Sequence, residues 1–80
     1  MKMIEKRLGE RVRKLRLARN LSQEQLAFKA RMHRTYLGGI ERGERNPSLK
    51  NITAIAKALD TTLSQLFLFD DPKSGVNSNS

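Results

Sequence analysis

The sequence predicts an all-α protein of five helices, on three observations. Apolar residues recur at spacings of three and four from residue 4 to residue 69. Helix-start signatures recur as well: Ser22 with Gln25, Ser48 alone, and Thr62 with Gln65. Nowhere does the chain show the strict alternation of a strand, and no segment repeats.

Ile4, Leu8, Val12 and Leu15 form one apolar stripe on the first helix, and the other faces carry Lys6, Arg7, Arg13, Lys14 and Arg19. Asn20 tolerates a left-handed backbone and marks the stop. Ser22 opens the second helix as a capping box, with Gln25 three residues on; Leu26, Ala27 and Ala30 supply its buried face. A third helix is expected from about His33 to Arg42, with Leu37 and Ile40 inward and Gly43 ending it. After the loop 43–47, Ser48 caps a fourth helix whose inner face is Leu49, Ile52, Ile55, Ala56 and Leu59. Thr62 starts a short fifth helix, again as a capping box to Gln65, carrying Leu66 and Phe67. Residues 1–70 are therefore read as one domain. Residues 71–80, made of Asp, Pro, Lys, Ser, Gly, Val and Asn, are read as a disordered polar tail.

Eighty residues lie near the lower limit for a self-supporting core. With no cysteine, neither disulfides nor a thiolate zinc site can staple it, so helix packing must suffice, supplemented by dimerisation. No apolar run reaches membrane-span length and no signal-peptide core is visible. The basic N-terminus is like a mitochondrial presequence in charge, but Glu5, Glu10 and the lack of serine before residue 22 argue against one. A cytoplasmic location is expected. Catalysis is not: no Ser–His–Asp, Cys–His, paired-carboxylate or phosphate-loop arrangement is present. His33 is the one histidine and has no companions at ligand spacing, so it is read as a polar contact at a helix start. No metal, cofactor or small-molecule ligand is implied. The net charge of +8 points instead to a polyanion, and double-stranded DNA is the expected partner.

Residues 22–46 carry that expectation. They read as two short helices joined by a tight turn, the layout that inserts side chains into a major groove. On the second of these helices Arg34, Thr35, Gly38, Gly39 and Arg42 lie opposite Leu37 and Ile40. Arg34 suits a bidentate pair with guanine, and Thr35 suits a base edge or a thymine methyl. Arg42 and Arg45 suit phosphates. Two helix glycines cost roughly 1 kcal/mol each relative to alanine. Either a groove wall approaches the backbone there, or the glycines relieve crowding against a neighbouring helix.

The strings LSQEQLA, RTYLGGIERGERNPSL and IAKAL with LSQLF resemble the Xre-type family of lambda-repressor-like DNA-binding domains, across residues 8–67. The middle string is similar to that of its short members, the controller proteins of restriction–modification systems. The resemblance implies a five-helix fold in which helices two and three form a helix-turn-helix. It places Gln23 on a DNA phosphate, His33, Arg34, Thr35 and Gly39 against base edges, and Arg42, Arg45, Asn46 and Ser48 on the DNA backbone. It pairs Arg16 with Glu41 as a bridge from helix one to the end of helix three. Two positions depart from the pattern. Arg31 stands where the family turn usually has glycine; a left-handed backbone would cost arginine roughly 1 kcal/mol, which predicts a slightly altered turn. Gly39 has no side chain where relatives read a base, which shifts weight to operator shape.

Three further readings are expectations of the same kind. Tyr36 serves either packing or a phosphate hydrogen bond. Phe28 lies off the buried stripe, either packed under helix one or exposed beside DNA. The run Leu66, Phe67, Leu68 and Phe69 exceeds what one helix face can bury, so a two-fold dimer through helix five would cover the remainder, unless the core takes all four. Together these predict a homodimeric transcriptional regulator of the controller type on a palindromic operator. The alternatives are a phage-type repressor, an antitoxin, or a protein-interaction module without specific DNA binding. Membrane-surface or RNA binding through helix one is disfavoured, because its narrow apolar stripe is needed for the core.

Overall fold

Each link between helices turns through one residue with a left-handed backbone, and this sets the architecture. The structure is a computed structural model and describes residues 2–69. Its elements are α1 (Lys2–Ala18), α2 (Gln23–Ala30), α3 (Arg34–Glu41), α4 (Leu49–Ala58) and α5 (Leu63–Leu66), with no strand among the described residues. The turning residues are Asn20 (φ 56°), Arg31 (φ 59°), Gly43 (φ 76°) and Asp60 (φ 56°). All four sit in the same double bond pattern. The next residue's N–H returns to a carbonyl five residues back, as in Leu21 to Arg16 (3.1 Å), Met32 to Ala27 (3.0 Å), Glu44 to Gly39 (2.9 Å) and Thr61 to Ala56 (2.9 Å). Inside each of these lies a shorter bond, such as Arg31 N–H to the Phe28 carbonyl at 3.1 Å. These are Schellman motifs, and they satisfy carbonyls that a helix end leaves without partners.

The helix starts follow the capping residues. Ser22 Oγ accepts from Gln25 N (3.0 Å) while Gln25 Oε1 accepts from Ser22 N (2.8 Å), a complete capping box. Ser48 Oγ accepts from Asn51 N (3.2 Å) and Thr62 Oγ1 from Gln65 N (3.0 Å). The second expected box is only half made. Gln65 Oε1 accepts from the Thr61 hydroxyl (3.1 Å) instead of returning to the Thr62 backbone, because a nearer donor on the preceding residue competes for it.

All five helices feed one core. Val12, Leu26, Leu37, Ile40, Ile55, Leu59 and Leu66 are fully buried, each worth about 1.5–3 kcal/mol relative to exposure. Helix α1 packs on α3 and α5, and α2 packs on α3 and α4. Ile4 departs from the expected stripe: it is 53% exposed, since the first turn of α1 runs past the end of the core. Leu49, expected inward on α4, is likewise exposed. Leu66, by contrast, is wholly buried, so of the apolar run it belongs to the core. The expected tail at 71–80 lies outside the described residues. Among those described, no helix is long and apolar enough to cross a membrane.

Candidate nucleic-acid interface

Three elements are tied together where α3 ends. Arg16 of α1 donates from Nε to Glu41 Oε2 (2.7 Å) and from Nη2 to Oε1 (3.1 Å), and its Nη1 reaches the Leu21 carbonyl (2.9 Å). Gln23, the first residue of α2, adds a bond from Nε2 to Glu41 Oε1 (3.0 Å). Both charged side chains are below 10% exposed. A charge buried this deeply is tolerable only when paired and hydrogen-bonded, and here the fork of the guanidinium matches the carboxylate with two bonds. The pair fixes α3 against α1 and the start of α2. Gln23, expected on a phosphate, is half-buried and directs its amide to this anchor.

From that fixed end α3 presents its N-terminus outward. His33 is the N-cap with extended backbone and makes no side-chain cap bond; His33, Arg34 and Thr35 are all exposed. The turn before them keeps a left-handed residue although arginine stands there. Arg31 adopts the left-handed conformation (φ 59°, ψ 48°), so the expected change of turn does not occur. The Schellman bonds and the packing of both flanking helices outweigh a local cost of roughly 1 kcal/mol.

The polar face of α3 is covered rather than open. Gly39 is buried beneath Arg45: a Cβ at residue 39 would stand 2.8 Å from Arg45 Cγ and 3.3 Å from its Nε. Gly38 is seated in the same way under Arg42, whose Nη1 would lie 3.2 Å from such a Cβ. Gly39 therefore offers no surface to a base edge, and the arginine across it occupies that place. The glycines do make room: Gly39 for Arg45 of the following link, and Gly38 both for Arg42 and for Gln23 of the neighbouring helix α2, whose Oε1 would lie 3.6 Å from such a Cβ. The Arg45 guanidinium lies 5.8 Å from the centre of the Tyr36 ring, within cation–π reach. Tyr36 is half-buried, and its hydroxyl accepts from Asn51 Nδ2 of α4 (3.1 Å). It thus has both packing and a polar anchor, and the hydroxyl hydrogen remains available to an acceptor. Arg42, Arg45, Asn46 and Ser48 are exposed in the link 42–48, with Arg42 Nε 3.1 Å from Glu44 Oε1.

Comparison with known proteins places this arrangement. The Helix-turn-helix family model matches residues 12–66, more than half of the chain. The chain belongs to the helix-turn-helix family. The control protein C.BamHI of Bacillus amyloliquefaciens is 58% identical over 52 residues, which span 64% of each chain. The control protein C.SmaI of Serratia marcescens is 51% identical over 59 residues, 74% of this chain and 70% of the relative. Among solved structures, the restriction–modification controller protein C.AhdI of Aeromonas hydrophila superposes with a TM-score of 0.76 at 50% identity, over 78% of this chain and 94% of its own. In this helix-turn-helix protein, a DNA-binding transcriptional regulator and not an enzyme, α2 and α3 are the two helices of the motif.

Several residues of the helix-turn-helix protein escaped the sequence reading. Gly9 of α1 lies directly against the backbone at the end of α3; Gly43, expected only as a helix stop, also stands over Lys6. Arg11 donates twice to the Gln65 carbonyl (3.1 and 2.8 Å), joining α1 to α5. An isolated glycine inside α1 was the available signal for Gly9; nothing local signals the Arg11 contact. Phe28 is settled as exposed, at 85%. Beyond buried Leu66, Phe67 and Leu68 are exposed at 40% and 64%, while Phe69 is half-buried against the core with its ring 5.9 Å from that of Phe67.

Proposed function

We propose that the protein is a cytoplasmic homodimer that binds a palindromic operator, as a controller-type regulator of its own promoter and of the endonuclease gene of a restriction–modification system. The observation that carries this reading is the α3 N-terminus, aimed outward by a buried anchor and flanked by a cationic loop. His33, Arg34 and Thr35 face the base edges in the major groove; Arg34 supplies the bidentate contact to guanine. Arg42, Arg45, Asn46 and Ser48 grip phosphates, and the Tyr36 hydroxyl donates a further bond. Gln23 lies at the same edge, where its remaining amide hydrogen reaches a phosphate. The likeness to control proteins supports the controller role.

Dimerisation uses Phe67, Leu68 and Phe69, with Leu66 acting from the core beneath them. Leu63, 39% exposed, extends the patch. The two recognition helices then enter successive major grooves on one DNA face, with half-sites about 34–36 Å apart. Selection of sites from random duplex DNA at physiological salt tests the proposal. An enriched inverted repeat with that spacing is expected. Salt-sensitive binding without any enriched sequence would leave charge but no readout, and the proposal would fail.

A further inference from the structure

The C-terminal end of α2 carries a surface that the DNA reading touches only at one margin, where His33 lines its edge. A groove of about 550 Å³ runs between the C-terminal ends of α2 and α4, floored by Ala30, Ala54 and Ala58 and rimmed by Lys29, Arg31 and Lys57. No carboxylate lines it. Among the described residues, none of the three cations has an ion pair or a side-chain hydrogen bond. Lys29 also borders a second concavity and Arg31 a third, and Phe28 forms a wall of both of these. The three hollows are therefore one continuous surface around an 85% exposed phenylalanine. The nearest acid along it is Glu24, one turn back on α2.

Two features set this surface apart from a merely solvated helix end. Leaving Phe28 in water forgoes the favourable burial of an aromatic ring, and the residue supports nothing in the core. Arg31 keeps a cation at a left-handed position, where glycine would be unstrained. Lys29 and Lys57 do lie in the last turns of their helices, where cations offset the helix dipole. That effect needs neither the phenylalanine nor an arginine in the turn.

We infer that this surface docks an acidic segment of a partner protein, with an aliphatic or aromatic residue of that segment set against Phe28 and the alanine floor. A DNA backbone is the less suitable occupant for two reasons. In the proposed DNA-binding mode the N-terminal ends of α2 and α4, at Gln23 and Ser48, lie on the DNA-facing side. Lys29 and Lys57 lie respectively six and nine residues further along those helices, about 9 and 13 Å at 1.5 Å per residue. A DNA backbone also offers only small deoxyribose C–H groups to place on methyl groups, whereas an acidic peptide with a leucine has both a carboxylate and a large apolar side chain.

The test is a titration of the ¹⁵N-labelled full chain with a synthetic twelve-residue peptide of repeating Asp-Glu-Leu units, followed by amide shifts. Saturable shifts confined to the ends of α2 and α4 and to the turn at Arg31 are expected. The K29E/K57E double substitution should weaken the peptide at least tenfold and leave DNA affinity within twofold. Phe28→Ser should weaken it about fivefold with unchanged thermal stability. Shifts centred on Arg34 and Arg45, or no saturation, would overturn the inference. So would an equal loss of DNA and peptide binding in the double variant, which would assign the cations to flanking phosphates.

Discussion

Gly9 in α1 and Ile40 in α3 bring their backbones so close that no side chain fits between them. A Cβ at residue 9 would overlap the carbonyl oxygens of Ile40 and Glu41 and lie 2.8 Å from the Glu41 carbonyl carbon. Alanine elsewhere in a helix would gain about 1 kcal/mol over glycine. Here the obstacle is backbone and cannot rotate away, so overpacking wins. Gly9→Ala is expected to destabilise by about 1–3 kcal/mol, read as a Tm lowered by roughly 4–8 °C per kcal/mol. An unchanged or raised Tm would show that α1 and α3 separate without cost.

The buried pair beside this contact responds differently to losing one partner or both. Glu41→Ala strands the Arg16 guanidinium and removes the acceptor of Gln23, an expected loss of about 3–5 kcal/mol. Replacing both, as Arg16→Met with Glu41→Leu, should recover most of that loss in urea unfolding. Equal damage in the single and double variants would mean that the pair's geometry matters more than its unpaired charge.

At the turn the sign reverses. Arg31 holds φ 59° with its side chain exposed, so Arg31→Gly removes a strain of roughly 1 kcal/mol. Part of the gain is offset by the freer unfolded chain. A net stabilisation of about 0.5 kcal/mol, visible as a higher midpoint in urea at unchanged slope, is the expected result. A lower midpoint would locate a stabilising contact in the arginine side chain.

For DNA recognition the two arginines should separate cleanly. Arg34→Ala is expected to lose about 1–3 kcal/mol and to relax preference at one base pair per half-site. Arg45→Ala should weaken all sequences alike and reduce the salt slope by about 1 for each copy of the chain. If Arg45→Ala altered the selected consensus instead, Arg45 would be a reader of sequence from its seat over Gly39.

Leu68 and Leu66 offer the matching pair for assembly. Leu68→Asp, at an exposed site, should leave the helical circular dichroism intact and lower the sedimentation mass at micromolar concentration. Leu66→Asp buries an unpaired carboxylate and should unfold the chain. A folded Leu68→Asp variant with unchanged mass would place the interface elsewhere.

The sequence made the helices legible where the information was local. Ser22 with Gln25, Ser48 and Thr62 each announce a start through one side chain and a backbone donor three residues away. Asn20 and Gly43 announce stops by residue type. Asp60 adopts the same left-handed stop but has no such distinction in a run of polar residues. The site was legible as residue types around the turn and less so as surfaces. Gly38 and Gly39 read as room for either a groove wall or a neighbouring helix, because helix periodicity cannot foresee Arg42 and Arg45 folding back over them. Gln23 is bound to Glu41 across 18 residues of sequence, and Arg11 to Gln65 across 54. Such partners are set by how helices stack, which no local window contains. Ile4 shows the reverse limit: a stripe predicts which way a residue points, not whether the core extends far enough to meet it.

The four Schellman turns have a mechanical corollary. Three of the links, at 19–22, 31–33 and 59–62, are occupied almost wholly by stop and cap residues, so they have no slack to absorb an insertion. Only the stretch 42–48 is longer, and it holds Arg42, Arg45 and Asn46. Whatever accommodation this protein makes to an imperfect DNA site is thereby concentrated in one short strap, while the helix proposed for the groove is already aimed and would lose little entropy on docking.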